Sequence, residues 1–356
     1  MKTIKTIKHS SPSIDRSDIE SVNEVLSSGN LTQGVKVEEF EEIVGKFVGV
    51  KYGIALSSGT AALHLALKGL NVGPGDEVII PSYVCASPYI ATLHAGAIPK
   101  IVDIGLTDFN INSEEIEKNL TNNTKAIIVP HMFGTPADLD EILSLGIPII
   151  EDCALSLGAE YKGSKVGSFG KASICSFYAT KMIATGEGGM VLTNDDDVYA
   201  TVSELRQYDG KNLSKLRYNY KITDFQAALG ISQMNKLPTF ISRRREIAKI
   251  YDDFFSKIGA ERQKISKYKQ SVFYRYVVLL NEMEEIQRQM KQKGVACEKP
   301  VYMPLHESLT LKNFPKTDYI YNHALSFPTY PSLNKEEIDY IVEMLELVFQ
   351  VHSSRT

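Results

Sequence analysis

The sequence predicts an α/β protein: a large domain with a mostly parallel sheet between helices, followed by a smaller C-terminal α+β domain. Three observations predict it. Between Tyr52 and Leu192, short apolar runs alternate with helical patterns, the arrangement of strands joined through helices that cover both faces of a sheet. After Gln226 the pattern changes to long helical stretches with a single strand-like run. The length, 356 residues, suggests about two domains at ~150 residues each.

The elements follow in order. Ile54-Ala55-Leu56 reads as a strand and Ala61 to Leu70 as the helix after it. Glu77 to Ile80 is a second strand, Ser87 to His94 a helix, and Pro99 to Asp103 a third strand. Ala126 to Val129, Pro148 to Ile150, Ala172 to Phe177 and Gly189 to Leu192 complete the set. Thr223 to Met234 reads as a helix. Pro238 then sits at a plausible first helical turn, leading into a second helix from Phe240 to Ile258 whose Ile247, Ile250, Tyr251 and Phe254 recur at helical spacing. A strand (Phe273 to Leu280), a helix (Met283 to Lys293), a loop (Pro300 to His306) and a last helix (Lys335 to Val348) form the smaller unit. The boundary is expected near Leu237, giving domains 1–237 and 238–356.

Composition excludes several classes. The formal net charge of −4 argues against broad nucleic-acid binding, which needs many phosphate-neutralising cations. Hydrophobic residues at 43% and charged residues at 23% fit an ordinary globular chain. Cys85, Cys153, Cys175 and Cys297 form no C-x-x-C pair, so no metal site is expected, and spread thiols fit a reducing compartment. No apolar run approaches the ~20 residues that span a bilayer. The first ten residues carry Lys2, Lys5 and Lys8 but no continuous apolar stretch, unlike a secretory signal. A cytoplasmic protein, away from membrane and nucleic acid, is expected.

Three segments carry chemistry. In Ala55-Leu56-Ser57-Ser58-Gly59-Thr60-Ala61 a strand passes directly into a helix. Such a turn presents backbone N–H groups at the positive helix end, an anion site, with Gly59 allowing close approach and Ser58 and Thr60 adding hydroxyls. It is not a Walker P-loop, since no Gly-Lys-Ser/Thr follows; an ordinary N-cap would use the same residues. Ile149-Ile150-Glu151-Asp152 ends a strand in two carboxylates, where open α/β sheets place ligands. Ser176-Phe177-Tyr178-Ala179-Thr180-Lys181 precedes Thr185-Gly186-Glu187-Gly188-Gly189; a lysine between a buried strand and a Gly-rich loop is a candidate nucleophile. A phosphate cradle, an acid and a lysine together fit pyridoxal 5'-phosphate, which needs a Schiff-base lysine, an acid for its pyridine nitrogen and a phosphate site.

With these segments the chain resembles the DegT/StrS-type sugar aminotransferases of fold type I. The resemblance runs from Asn30-Leu31-Thr32-Gln33-Gly34 to the last helix. Its matches are Ser57 to Leu67, Gly75 to Tyr83, Tyr218 to Ala228, Tyr302-Met303-Pro304-Leu305-His306 and Phe327 to Leu333. It implies a Schiff base on Lys181 and a pyridinium partner in Asp152. Ser58, Gly59, Thr60 and Ser176 would lie around the phosphate, and Cys85 would stand where an aromatic residue often stacks on the ring. It also implies a homodimer in which Asn219 reaches the phosphate of the neighbouring subunit. The implied substrates are a nucleotide-linked keto-sugar and glutamate or glutamine, in the biosynthesis of an amino sugar for a surface polysaccharide, glycan or secondary metabolite. Tyr302 and His306 fall in a loop that approaches the site in the family and are candidate substrate contacts.

The chain departs from the family pattern at Leu155, where Gln is usual, at Cys85, and at Lys221, where Arg is common. Other reactions on the same cofactor, such as dehydration of a sugar, and a non-catalytic regulatory homologue remain alternatives; the resemblance implies a histidine in place of Lys181 in the dehydratase offshoot, so Lys181 disfavours the first, and Lys181 with Asp152 disfavours the second. Arg243-Arg244-Arg245 reads as a solvated or subunit-facing stripe, and His131 as a structural histidine.

Overall fold

The computed structural model describes residues 6–353, with side chains to residue 350. Residues 1–5 of the basic start lie outside the described residues. Seven strands form the central sheet: β1 (Tyr52–Leu56), β2 (Glu77–Pro81), β3 (Ile98–Val102), β4 (Thr124–Pro130), β5 (Ile149–Asp152), β6 (Ala172–Ser176) and β7 (Gly189–Thr193). They are the seven apolar runs of the sequence. Their spatial order is β1-β7-β6-β5-β4-β2-β3, parallel throughout except for β7.

Because side chains alternate along a strand, each run divides between two cores. Ile54, Leu56, Val78, Ile80, Ile128, Ile150, Ile174 and Val191 face one cluster with helix Gly59–Gly69. Ala55, Ile79, Ile127, Val129, Ile149, Cys175, Met190 and Leu192 face the other, with helix Val35–Val48 and the first half of helix Asp224–Lys257. Both faces are covered, which is why the runs are apolar throughout.

The reversal at β7 has a local cause. After β6 the chain folds back on itself: Phe177 N donates to Gly188 O (2.9 Å), Thr185 N to Phe177 O (2.8 Å) and Ala179 N to Gly186 O (3.1 Å). No helix intervenes, so the next strand returns antiparallel. Lys181 sits at the head of this turn, its own N–H bonded to Tyr178 O at 2.8 Å. With β1, β2, β4, β5 and β6 running in one direction, Ser58, Ser82, His131, Asp152 and Lys181 all follow the same sheet edge.

A third core belongs to the C-terminal unit. There Glu261–Arg262, Tyr276–Leu279 and Ala324–Phe327 form an antiparallel sheet packed with helices Met283–Gln292 and Lys335–Ser353. Two features cross the boundary expected near Leu237. Ile7 is buried in this third core and exchanges backbone bonds with Gly294 and Ala296. The two helices expected around Pro238 are one helix, Asp224–Lys257, roughly 50 Å long at 1.5 Å per residue. Pro238 removes one donor, but Met234, Leu237, Phe240 and Ile241 are buried around it, and that packing outweighs the lost bond. Among the described residues no helix is long and apolar enough to cross a membrane.

The long helix approaches helix Val35–Val48 through Gly230, where an added Cβ would lie 2.6 Å from Phe40 Cζ. Phe40 is fully buried and touches Phe177, centroid to centroid 4.9 Å, at the root of the turn that carries Lys181. Gly230→Ala is expected to destabilise the protein by about 1–3 kcal/mol through overpacking, although alanine is intrinsically ~1 kcal/mol better in a helix. Urea denaturation measures this; unchanged stability would show that Phe40 yields freely.

Candidate active site

Where β1 enters helix Gly59–Gly69, Ser58 caps the helix, accepting from Ala61 N at 3.1 Å. The cap reading of Ser58 therefore holds, and the first-turn amides of Gly59 and Thr60 remain for a ligand. Space there is tight. A Cβ on Gly59 would meet Ser176 Cβ at 2.9 Å, and one on Gly189 would meet Ser58 O at 2.3 Å. Only glycine lets β7 and β6 close against this turn. The result is a small cup of Gly59, Thr60 and Ser176, with Thr60 Oγ1 donating to Ser87 Oγ at 3.0 Å.

The carboxylate pair at the end of β5 separates across the sheet, as strand alternation requires. Glu151 is fully buried on the side away from the cavity. It accepts from the amides of Gly167 (2.7 Å), Phe169 (2.8 Å) and Gly170 (2.7 Å) and contacts His131 Nε2 at 3.1 Å. Ala137 N donates to His131 Nδ1 at 3.1 Å, so neutral His131 carries its proton on Nε2 and donates to Glu151. His131, Glu151 and Cys153 bring potential metal-ligand atoms within 4.8 Å of one another, but these hydrogen bonds already engage His131 and Glu151.

Asp152 faces the other way, into a cavity of about 460 Å³. It is 6% exposed. Among the described residues its side chain accepts one hydrogen bond, from Ala154 N to Oδ1 at 3.0 Å, which leaves Oδ2 for a ligand. Burial raises its pKa, partly offset by the Ala154 amide and by the charge of Lys181. A buried carboxylate with a free oxygen fits a ligand that brings a cationic N–H. Lys181 lines the same cavity, its Nζ 5.5 Å from the ring centroid of Tyr274. Acid, amine and cup share one sheet edge, and these residues fit pyridoxal phosphate.

Cys85 and Leu155 also line the cavity, so positions where a stacking ring and an amide are usual hold a thiol and an apolar side chain. Tyr302 lines it and is 90% exposed. His306 is elsewhere: buried, with Nδ1 at 2.7 Å from Ser82 Oγ and Nε2 at 2.9 Å from Asp318 Oδ1, its ring stacked on Phe314. It pins the 300–306 loop to the end of β2. Asn219 is exposed on the segment before the long helix, and Lys221 pairs with Asp209.

Sequence reasoning missed Tyr274 and Arg275, which line the cavity from the segment before the C-terminal sheet. Burial alone would raise the Tyr274 phenol, but Lys181, Arg275 and Arg244, with a Thr180 hydrogen bond, hold it below its ordinary value. The stripe reading of the arginines is corrected at Arg244, which is buried and donates to Tyr274 O (3.1 Å) and Thr329 O (2.7 Å). Successive helix residues point about 100° apart. Arg244 falls on the stripe of Phe240, Ile241, Ile247 and Ala248, all buried.

The raised pKa of Asp152 gives a pH prediction. The cost of its folded-state charge is absent below the ordinary carboxylate range, near pH ~4. It grows as pH rises through the raised folded value and is fully present above it. Asp152→Asn is therefore expected to raise the melting temperature of cofactor-free protein near neutral pH, with the gain shrinking as pH falls. Thermal denaturation across pH shows this; a gain independent of pH, or a loss near neutrality, would contradict it.

Comparison with known proteins gives the family. Residues 12–346 match the model of the DegT/DnrJ/EryC1/StrS aminotransferase family. GDP-perosamine synthase of Escherichia coli O157:H7 is 34% identical, over 94% of this chain and 96% of that protein. The UDP-4-amino-4,6-dideoxy-N-acetyl-beta-L-altrosamine transaminase of Campylobacter jejuni (strain 81-176) is 34% identical, over 95% and 96%. The PLP-form of Spr1654 from Streptococcus pneumoniae superposes with a TM-score of 0.90 at 27% identity, over 96% of this chain and 98% of that one. The chain belongs to the DegT/DnrJ/EryC1/StrS aminotransferase family.

Proposed function

We propose that this protein is a pyridoxal-phosphate-dependent aminotransferase. It transfers the amino group of glutamate or glutamine to a nucleotide-linked keto-sugar, in the biosynthesis of an amino sugar for a polysaccharide, glycan or secondary metabolite. The observation that carries the reading is the placement of Lys181 and the buried Asp152 in one cavity, at the sheet edge that also carries the Gly59–Ser176 cup. GDP-perosamine synthase and the altrosamine transaminase, each matching nearly the full chain, support the sugar class, and the PLP-form of Spr1654 supports the cofactor.

Pyridoxal phosphate, when bound, supplies an aldehyde that takes up an amine and a ring that stores the electrons released as a proton moves. The amides of Gly59 and Thr60 and the hydroxyl of Ser176 bind its phosphate at a helix N-terminus. Asp152 keeps the ring nitrogen protonated and orients it, which a buried carboxylate does well because no water competes. Lys181 Nζ would hold the cofactor through its aldehyde carbon and, when released, would take the proton from the donor's α-carbon as general base and deliver it, as general acid, to the carbon that had carried the aldehyde. Its short turn, closed by the Phe177, Ala179 and Thr185 amides, holds that nitrogen in place. Leu155 and the apolar wall of Val84, Met132 and Phe133 exclude water from the reacting atoms.

The reading includes a homodimer with shared sites, in which the partner subunit's Asn219 donates to the phosphate. Exposed Leu213 (93%) and Leu216 (73%) on the same segment support a covered surface there. Four free thiols, three of them buried, support the cytoplasm as its place.

The test mixes two variants, Lys181→Ala and Asn219→Asp, under conditions that exchange subunits. Nucleotide-linked keto-sugars are supplied with L-glutamate or L-glutamine, and mass spectrometry reads conversion of ketone to amine. Wild type is expected to aminate one of them. Each variant alone is expected to be poorly active: the first lacks the proton carrier, the second repels the phosphate. Mixing should restore activity, because a heterodimer then has one site with both lesions and one with neither. No recovery despite demonstrated exchange rejects the shared site. No amination by wild type with glutamate or glutamine rejects the activity.

A further inference from the structure

Three cations surround one aromatic ring in this structure. Lys181 Nζ, Arg275 Cζ and Arg244 Cζ lie 5.5, 5.2 and 5.9 Å from the centroid of Tyr274. Among the described residues neither arginine has a carboxylate within ion-pair distance. Arg244 is 4% exposed, spends its Nη1 on two backbone carbonyls, and leaves its buried Nε without a partner. Arg275 donates through Nη1 to the ring of His9 at 2.8 Å, and His9 Nε2 lies 2.9 Å from Ser326 Oγ. Burial and the adjacent Arg275 lower the His9 pKa to about 3, so His9 is neutral and supplies no counter-charge. Among the described residues Asp152 is the one carboxylate on the cavity wall, and the proposed function commits it to the ring nitrogen.

Arg244 is buried and Arg275 half-buried; guanidinium groups withdrawn from water without an anion are costly to maintain, and a planar fork of donors matches a carboxylate. Arg275 lines the cavity beside Lys181; Arg244 does not, and from behind Tyr274 it adds positive potential. We propose that Arg275 is the subsite that binds a carboxylate of the amino-acid donor, with Arg244 reinforcing its field. This rests on the aminotransferase reading. The donor's amino nitrogen reacts where Lys181 Nζ does, and its α-carboxylate is two bonds from that nitrogen, so the carboxylate lies in the same chamber. A nucleotide's diphosphate is separated from the reacting sugar carbon by the hexose ring and belongs further out, towards exposed Tyr302.

The experiment uses the wild-type holoenzyme with Arg275→Gln and Arg275→Lys. Glutarate, a dicarboxylate that cannot react, and UDP and GDP are titrated calorimetrically, and the half-reaction with L-glutamate is followed by the cofactor's visible absorbance. Arg275→Gln is expected to weaken glutarate binding and raise the KM for L-glutamate about 10- to 100-fold, the range of a lost charge-assisted pair, with UDP and GDP binding unchanged. Arg275→Lys keeps the charge and loses the fork, so a loss of about ten-fold or less is expected. Should Arg275→Gln fail to fold, the lysine variant carries the same comparison. Glutarate affinity equal to wild type overturns the proposal, as does a loss that falls on UDP and GDP instead. Failure of the aminotransferase reading would show separately, as wild type whose cofactor absorbance responds to neither L-glutamate nor L-glutamine.

Discussion

A carboxylate at the end of a strand buried on both faces has little water to stabilise its charge. Asp152 stands there with one amide bonded to it. The surrounding architecture follows from keeping that charge both present and available. The parallel strands bring it to the edge where ligands meet α/β sheets. Glu151, one residue earlier, faces the opposite side and fastens the loop 167–170 through three amides, which fixes the end of β5. Across the cavity the turn after β6 presents Lys181. The negative and positive groups are thus held by different strands of one sheet, with room between them for a planar cofactor.

The strands were legible because each is a short apolar run bounded by polar or glycine residues, and the two cores follow from period-two alternation. The direction of β7 was not legible: a parallel and an antiparallel buried strand have the same composition, and only the bonds of the 177–188 turn decide it. Pro238 argued for a helix break by a local rule, and tertiary packing on both sides overrode it. Arg244 was readable in principle, since it stands four residues after Phe240 and three before Ile247, on the buried stripe; the run of three arginines concealed it. Tyr274 and Arg275 carry no motif. They reach the cavity because the segment before the C-terminal sheet passes over the mouth of the large one, a long-range contact that periodicity does not encode.

The chemistry-bearing residues were legible for a different reason. A cofactor demands an amine, an acid and an anion cradle in fixed roles, and Lys181, Asp152 and Gly59 occur at strand ends where side chains emerge. Around them the wall is less constrained. Cys85 and Leu155 line the cavity with a thiol and an apolar side chain, where the resemblance implies an aromatic and an amide. His306 lies in the matching loop but is spent on Ser82 and Asp318, holding the loop rather than a ligand. Within that loop Tyr302 is the residue left exposed at the cavity.

The proposed chemistry depends on Lys181 as the lysine that carries the cofactor. Reduction of the purified holoenzyme with borohydride, followed by peptide mapping, tests this directly. Reduction is expected to abolish the visible cofactor absorbance and to leave a stable pyridoxyl label on the peptide containing Lys181. A label on any other lysine would contradict it.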